Sequence, residues 1–142
     1  MALEQNNIDK IYLRIEALKQ YIAVLEDFKN ISLKELEKDL IKRGAIERYL
    51  QLSIEACIDV AELIISDQRL PSPATYKEAI HVLGKEKILN EEFAGKFSQA
   101  AGFRNILIHD YVKIDYKRLH SYLQNNLSDF HRFIKEILGF LK

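Results

Sequence analysis

The sequence predicts an all-α protein, an up-and-down bundle of four long helices with one or two short extra helices. Apolar residues recur at alternating steps of three and four through most of the chain, which is the helical period. Only two prolines and five glycines interrupt the 142 residues, and no segment alternates apolar and polar residues as a strand does. We expect one domain over residues 1–142, because a chain of this length can bury its own core.

The first half of the chain predicts two long helical segments and a loop. An apolar stripe from Ile8 to Leu25 marks a first helix of about five turns. Ser32 and Glu35 have the spacing of a capping box, which opens a second segment over residues 32–66. That segment is either one long helix or two that abut, with Gly44 as its weak point. Both prolines fall within residues 67–75, which is therefore the predicted main loop.

The second half predicts three further helices. A short one over residues 76–83 should stop at Gly84, because glycine commonly follows the C-terminus of a helix. Asn90 can cap a helix that continues through Tyr111, and Asp115 can cap the last helix. A nearly unbroken apolar stripe from Leu119 to Leu141 follows Asp115. We expect all the stripes to pack together as the core.

Charge and cysteine content narrow the possible functions. Lys plus Arg and Asp plus Glu both number 21, so the formal net charge is zero. A protein that binds nucleic acid mainly through bulk charge is usually basic, so any such site here must be local. Cys57 is the only cysteine, which excludes an intrachain disulfide and disfavours a cysteine-based zinc site. Neither a signal peptide nor an apolar stretch of roughly 20 residues is present, so we expect a cytoplasmic protein without a membrane partner.

The segment from Gly102 to Tyr111 is the most unusual, because Arg, Asn, His, Asp and Tyr surround three consecutive aliphatic residues. On an ideal helix residues seven apart nearly superpose, so Arg104 and Tyr111 share a face. Arg104 and His109 instead lie about 140° apart around the axis. One regular helix cannot direct both side chains at the same atom. The helix must loosen near His109, or Arg104 must use its long arm, or two chains must combine.

A structural role accounts for the same residues, and the pattern alone leaves it open. Arg104 would then pair with a carboxylate of the bundle such as Asp59 or Glu62, and His109 would cap the end of its helix. A local two-histidine metal site has no support, because no two histidines stand four residues apart on one helix face.

The segment resembles the signature of the HEPN superfamily of helical bundles, many of which are RNases. Arg104, His109 and Tyr111 fill the tighter pattern of its HepT-like toxin branch: Arg, four residues, His, one residue, Tyr. Other blocks are similar to the same branch and cover nearly the whole chain: residues 44–51, 55–59, 70–83 and 114–116.

The resemblance implies a metal-independent endoribonuclease toxin that needs no cofactor and forms a homodimer, in which two motif helices meet across a shared cleft. Arg104 and His109 would be catalytic, and Asn105 would support them. The expected partners are an RNA substrate and an MntA-type minimal nucleotidyltransferase, an antitoxin that binds the toxin or transfers AMP to Tyr111. Basic residues just beyond the motif would contact the RNA: Lys113, Lys117, Arg118 and His120.

The residue types suit this chemistry. A histidine with an ordinary pKa near 6.5 can accept or donate a proton near neutral pH. An arginine can bind a phosphate through two parallel hydrogen bonds and stabilise the charge that develops there. The alternative is a dimer of the same fold that binds a nucleotidyltransferase or a nucleotide without cleaving RNA.

Overall fold

The structure of the protein is a computed structural model that describes residues 3–108 and 114–142, with residue 108 described in its backbone alone. Within these ranges the chain forms eight helices: α1 (Gln5–Asp27), α2 (Leu33–Lys38), α3 (Leu40–Asp67), α4 (Tyr76–Lys85), α5 (Glu91–Phe97), α6 (Gln99–Ile108), α7 (Tyr116–Asn125) and α8 (Leu127–Leu141). The predicted all-α class is confirmed. The four positions of the bundle are filled by α1, α3 and two interrupted helices, α5–α6 and α7–α8, while α2 and α4 are the short extras.

Helices α1 and α3 form the central antiparallel pair. The carboxylate of Asp67, at the end of α3, accepts hydrogen bonds from the backbone N–H of Glu4 at 3.0 Å and from the Asn7 side chain at 2.7 Å. The Asn7 and Glu4 bonds hold the pKa of Asp67 below its ordinary value. Helix α3 also packs against α2, α4 and α6, and α8 packs against α1. Helix α3 therefore supports the first residues of the motif on α6.

The predicted apolar stripes form the core. Helix α1 buries its stripe from Ile11 to Leu25, while Ile8 at its beginning is half-buried. Phe97 of α5 contacts the rings of Phe130 and Phe133 of α8, with centroids 5.6 and 5.4 Å apart. These aromatic contacts fix α5 against α8. None of the described helices is both long and apolar enough to cross a membrane.

The second helical segment breaks at Asp39 rather than at Gly44. Asp39 has an extended backbone, with φ −85° and ψ 98°, and its side chain accepts a hydrogen bond from the backbone N–H of Lys42 at 3.1 Å. It therefore ends α2 and caps α3 at once. Gly44 lies inside α3, where the helix continues without interruption.

The predicted helix from Asn90 through Tyr111 is two helices in the described part of the chain, α5 and α6. Asn90 caps α5 as predicted, accepting a hydrogen bond from the backbone N–H of Phe93 at 2.9 Å. The break falls at buried Ser98, whose hydroxyl donates to the carbonyl of Gly95 at 2.7 Å and contacts His81 Nε2 at 3.1 Å. A serine hydroxyl that bonds a carbonyl one turn earlier commonly bends a helix. Ser98 itself keeps helical dihedral angles, with φ −58° and ψ −23°, so α6 follows α5 directly after this one turn residue.

The last helix is also interrupted. Asp115 caps α7 as predicted, accepting hydrogen bonds from the backbone N–H groups of Lys117 and Arg118. Helix α7 ends at Asn125. The next residue, Asn126, has a φ of −116° and a ψ of 1°, which are not helical, and α8 follows directly. The stripe continues across this break because Leu123 and Leu127 are both buried.

Gly84 does not terminate a helix. Helix α4 runs through it to Lys85, and the left-handed residue after the helix is Lys87, with φ 62°. Gly84 instead marks a close approach of α4 to α5, since a Cβ there would be 2.6 Å from Ala94 Cβ. The glycine is required by this close approach rather than by a turn.

Gly84→Ala is expected to lower the free energy of unfolding by about 1–3 kcal/mol, because the new methyl group overpacks the contact between α4 and α5. Gly44→Ala is the matched control, since it is also helical but exposed, with nothing within 4 Å of the added Cβ. It should raise stability by about 0.5–1 kcal/mol through helix propensity. Urea denaturation measures both changes, and a Gly84→Ala variant as stable as the parent would refute the close approach.

Candidate active site

Arg104 is the one proposed catalytic residue that lies within the described residues. It stands on α6 with its side chain 19% exposed and reaches across to Glu55 of α3, which is 29% exposed. Arg104 Nε and Nη2 both donate to Glu55 Oε1, at 3.2 and 3.1 Å. The guanidinium therefore sits in a partly buried ion pair between two helices.

Two more residues contact the Arg104 guanidinium. The ring of Tyr76, the first residue of α4, has its centroid 5.1 Å from Arg104 Cζ, within the range of a cation–π contact. Arg104 Nη1 donates to Asn105 Oδ1 at 3.3 Å. Asn105, the predicted supporting residue, is exposed and contacts Arg104 directly.

A small pocket of about 160 Å³ opens beside this group. Its walls come from α3, α4 and α6: Glu55, Ile58, Asp59, Glu62, Tyr76 and Arg104. The three acidic residues are four and three positions apart, so they lie on one face of α3. Arg104 thus faces a row of carboxylates.

Asp59 lines both this pocket and a second, larger cleft. It pairs with Arg14 Nε of α1 at 3.4 Å, and with Glu62 it also lines a cleft of about 480 Å³ between α1 and α3. Burial raises the pKa of Asp59 above its ordinary value, the Arg14 guanidinium opposes that rise, and the neighbouring Glu55 carboxylate adds to it. A phosphate group at this wall of α3 would meet like charge.

The alternative prediction for Arg104, an ion pair with a carboxylate of the bundle, is confirmed, but the partner is neither of the two residues named as examples. A carboxylate of the bundle does bind Arg104, and it is Glu55 rather than Asp59 or Glu62. The ion pair with Glu55 is compatible with a catalytic role for Arg104. Glu55 binds only the Nε–Nη2 edge of the guanidinium, so the Nη1–Nη2 edge can bind a second group. The sequence could have revealed the acidic face of α3, but no spacing rule connects residue 55 to residue 104. The contact with Tyr76 carries no local signal either.

His109, Tyr111 and Lys113 lie outside the described residues. The predicted relation between Arg104 and His109 therefore stays a prediction, as does the role of Tyr111.

The described basic residues beyond the motif point in different directions. Arg118 packs over the Phe103 ring, with Cζ 5.4 Å from its centroid, and lines a groove of about 200 Å³ separate from the Arg104 pocket. Lys117 is exposed. His120 Nε2 lies 2.7 Å from the carbonyl oxygen of Ile31, which ties it to the link between α1 and α2. Lys117 and Arg118 remain proposed RNA contacts, but the structure does not bring Arg118 to the Arg104 pocket.

Comparison with known proteins gives the family. A family model described as "Ribonuclease HepT-like" matches residues 18–137. The chain belongs to the HepT-like ribonuclease family. Membership confirms the resemblance found in the motif and the predicted class of enzyme, an RNA nuclease.

Two relatives named HepT are similar to this protein along most of the chain. The "tRNA nuclease HepT" of Aphanizomenon flos-aquae (strain 2012/KM1/D3) is 31% identical over 137 residues, which is 95% of this chain and 93% of the relative. The "mRNA nuclease HepT" of Shewanella oneidensis is 27% identical over 103 residues, 72% of this chain and 77% of the relative. Their substrates differ, so family membership does not choose between RNA classes.

A solved HepT-like structure has the same fold. The tri-AMPylated Shewanella oneidensis HEPN toxin, in complex with an MNT antitoxin, superposes with a TM-score of 0.82 at 25% identity. The match covers 91% of this chain and 96% of that one. The predicted HEPN-like bundle is thereby confirmed.

Proposed function

We propose that this HepT-like protein is a metal-independent endoribonuclease toxin, with Arg104 and His109 as catalytic residues and a nucleotidyltransferase as its antitoxin. The observation that carries the proposal is the placement of Arg104, held between Glu55 and Tyr76 at the edge of a pocket. Family membership and two relatives named as RNA nucleases support the activity. The relative solved with an MNT antitoxin supports the partner.

The proposed reaction uses the 2′-hydroxyl of the RNA as the nucleophile. Its oxygen bonds to the adjacent phosphorus while the bond from phosphorus to O5′ breaks, which leaves a 2′,3′-cyclic phosphate and a 5′-hydroxyl. One proton leaves the 2′-hydroxyl and one is added to O5′. His109 carries out one of these two transfers, and solvent water carries out the other. Arg104 donates hydrogen bonds to the phosphate oxygens, where negative charge increases in the transition state. Asn105 orients the phosphate or His109.

The proposed homodimer places Arg104 of one chain beside His109 of the other across a two-fold axis. This arrangement answers the difficulty that the two residues lie about 140° apart on one regular helix. The RNA would enter the shared cleft over Lys113, Lys117 and Arg118.

Mixing two inactive variants is expected to restore activity. In a heterodimer of Arg104→Ala and His109→Ala chains, one composite site has lost both residues and the other has kept both. We expect about half the wild-type activity per heterodimer, because one of its two equivalent sites is intact. Each variant alone serves as the control and should be inactive. A mixed dimer as inactive as its parents would place both residues of each site in one chain.

Cleavage without metal tests the proposed activity itself. The purified protein should cut RNA at the same rate with and without an excess of EDTA, because neither proton transfer nor phosphate binding is assigned to a metal ion. An assay with radiolabelled tRNA and mRNA transcripts would also show which RNA class is cut. Loss of cleavage with EDTA would contradict the mechanism. A protein that binds the nucleotidyltransferase but cuts no RNA would instead support the non-catalytic dimer.

A further inference from the structure

We infer that Glu55 is a positioning residue that orients Arg104 for the transition state and, through its charge, weakens the binding of RNA in the ground state. This inference rests on the proposed catalytic role of Arg104. It predicts that the hydrogen bonds of the Glu55 carboxylate to Arg104 raise kcat, whereas its negative charge lowers the affinity for RNA.

The hydrogen bonds show which part of Arg104 is left for the substrate. A guanidinium can donate two parallel hydrogen bonds from its Nε–Nη2 edge or from its Nη1–Nη2 edge. Glu55 Oε1 occupies the first edge, with distances of 3.2 Å to Nε and 3.1 Å to Nη2. On the other side Nη1 makes a long 3.3 Å bond to Asn105 Oδ1, a side chain that is exposed. A phosphate can therefore replace the Asn105 contact without breaking the Glu55 pair.

The plane of the guanidinium is also restrained. The centroid of the Tyr76 ring lies 5.1 Å from Arg104 Cζ, so the guanidinium is contacted by α4 and is also bound along one edge by α3. Arginine has a long side chain whose rotational freedom must be lost before it can hold a phosphate in one geometry. Here that ordering precedes substrate binding, and catalytic donors are most effective when they are preorganised in this way.

The charge of Glu55 has the opposite effect, because it weakens the binding of RNA. Its carboxylate neutralises Arg104 at close range, and Asp59 and Glu62 line the same pocket. An approaching RNA phosphate therefore meets a guanidinium whose field is largely cancelled. Removing the charge while keeping the hydrogen-bond acceptor should tighten RNA binding, whereas keeping the charge while withdrawing the acceptor should slow cleavage.

Two conservative variants separate these effects. Glu55→Gln keeps an oxygen at the same distance from the backbone, so we expect kcat within about threefold of wild type and RNA affinity raised several-fold. Glu55→Asp keeps the charge on a chain one carbon shorter, so kcat should fall roughly tenfold to a hundredfold with little change in affinity. Cleavage of a short RNA oligonucleotide gives kcat and KM, and fluorescence anisotropy in the His109→Ala background gives the affinity for uncut RNA.

Glu47→Gln is the matched control. Glu47 is a partly exposed carboxylate of the same helix, 24% exposed, and it pairs with Arg43 at 3.7 Å rather than with Arg104. Its removal should change neither kcat nor RNA affinity, which excludes a general effect of net charge. Thermal melting of every variant reports on the fold.

The inference is overturned if Glu55→Asp cleaves at the wild-type rate, or if Glu55→Gln loses as much kcat as Glu55→Asp. A parallel fall of kcat, affinity and melting temperature in both variants would show a purely structural ion pair and would also overturn it. Arg104→Ala in the same assay distinguishes a failure of the proposed function of Arg104 from a failure of the role inferred for Glu55. If that variant still cleaves RNA, the proposed function of Arg104 fails; if it does not and the Glu55 variants behave as wild type, only the role of Glu55 fails.

Discussion

His109→Ala is expected to reduce RNA cleavage by about 10²–10⁴-fold, the usual effect of losing a general acid or base. Arg104→Ala should cost about 10²–10³-fold, because it removes the donors that stabilise the charge on the phosphate. Initial rates on a labelled RNA measure both losses. Arg104→Lys is an informative companion: it keeps the charge, but lysine cannot bind Glu55 along one edge and a phosphate along another, so it should recover only part of the activity.

Neither alanine variant should unfold the protein. The pair of Arg104 and Glu55 is partly exposed, so we expect Arg104→Ala to cost about 1 kcal/mol of stability. Far-ultraviolet circular dichroism and melting curves should therefore resemble those of the parent. Undiminished cleavage in either variant would show that the substituted residue is not catalytic. If Arg104→Ala is unfolded, the activity of Arg104→Lys tests the role of Arg104 instead.

Tyr111→Phe is expected to abolish silencing by AMP transfer while leaving most of the RNase activity intact. Incubation of the wild type with its cognate nucleotidyltransferase, ATP and magnesium should add one or more AMP units to Tyr111. An anionic phosphodiester two residues from His109 would block the cleft and repel the RNA phosphate. Mass spectrometry locates the added mass, and a cleavage assay on the same samples measures the inhibition.

Tyr116→Phe is the matched control for this experiment. Tyr116 begins α7, and its ring packs against Arg43, whose Cζ is 4.8 Å from the ring centroid. It should keep both the modification and the silencing. AMP found on another residue, or a Tyr111→Phe variant that is still modified and silenced, would remove Tyr111 from the regulatory role and leave the assignment of Arg104 and His109 unaffected.

Local features of the fold could be predicted from the sequence, because neighbouring residues determine them. Ser32, Asn90 and Asp115 were expected to cap helices, and each accepts a hydrogen bond from a backbone N–H two or three residues later. The stripe of α1 is buried for the same reason, since the helical period places its members on one face.

Features that depend on distant contacts were missed. The break at Ser98 is accompanied by a contact with His81 of α4, and the requirement for Gly84 comes from Ala94 of α5. The break at Asp39 could in principle be read locally, but glycine at residue 44 was the stronger signal by propensity alone. A tertiary contact therefore decides the role of Gly84, whereas Ser98 combines a local bond to Gly95 with a contact to His81.

In the candidate site, too, local features could be predicted from the sequence, whereas contacts between distant residues could not. The spacing of Arg104, His109 and Tyr111 identified the motif, because a family motif within eight consecutive residues is a local pattern. Glu55, which binds Arg104 across 49 positions of sequence, could not be identified as its partner before the helices were packed. The acidic face of α3 was visible in the sequence, but its closeness to Arg104 depends on how α6 crosses α3.

The chemical ends of the RNA fragments test the central claim most directly. Wild-type protein should be incubated with a defined RNA in excess EDTA, and the products analysed by mass spectrometry, with Arg104→Ala as the blank. We expect fragments that end in a 2′,3′-cyclic phosphate and begin with a 5′-hydroxyl, and we expect none of them in the blank. Fragments with a 3′-hydroxyl and a 5′-phosphate, or the same fragments in the blank, would contradict it.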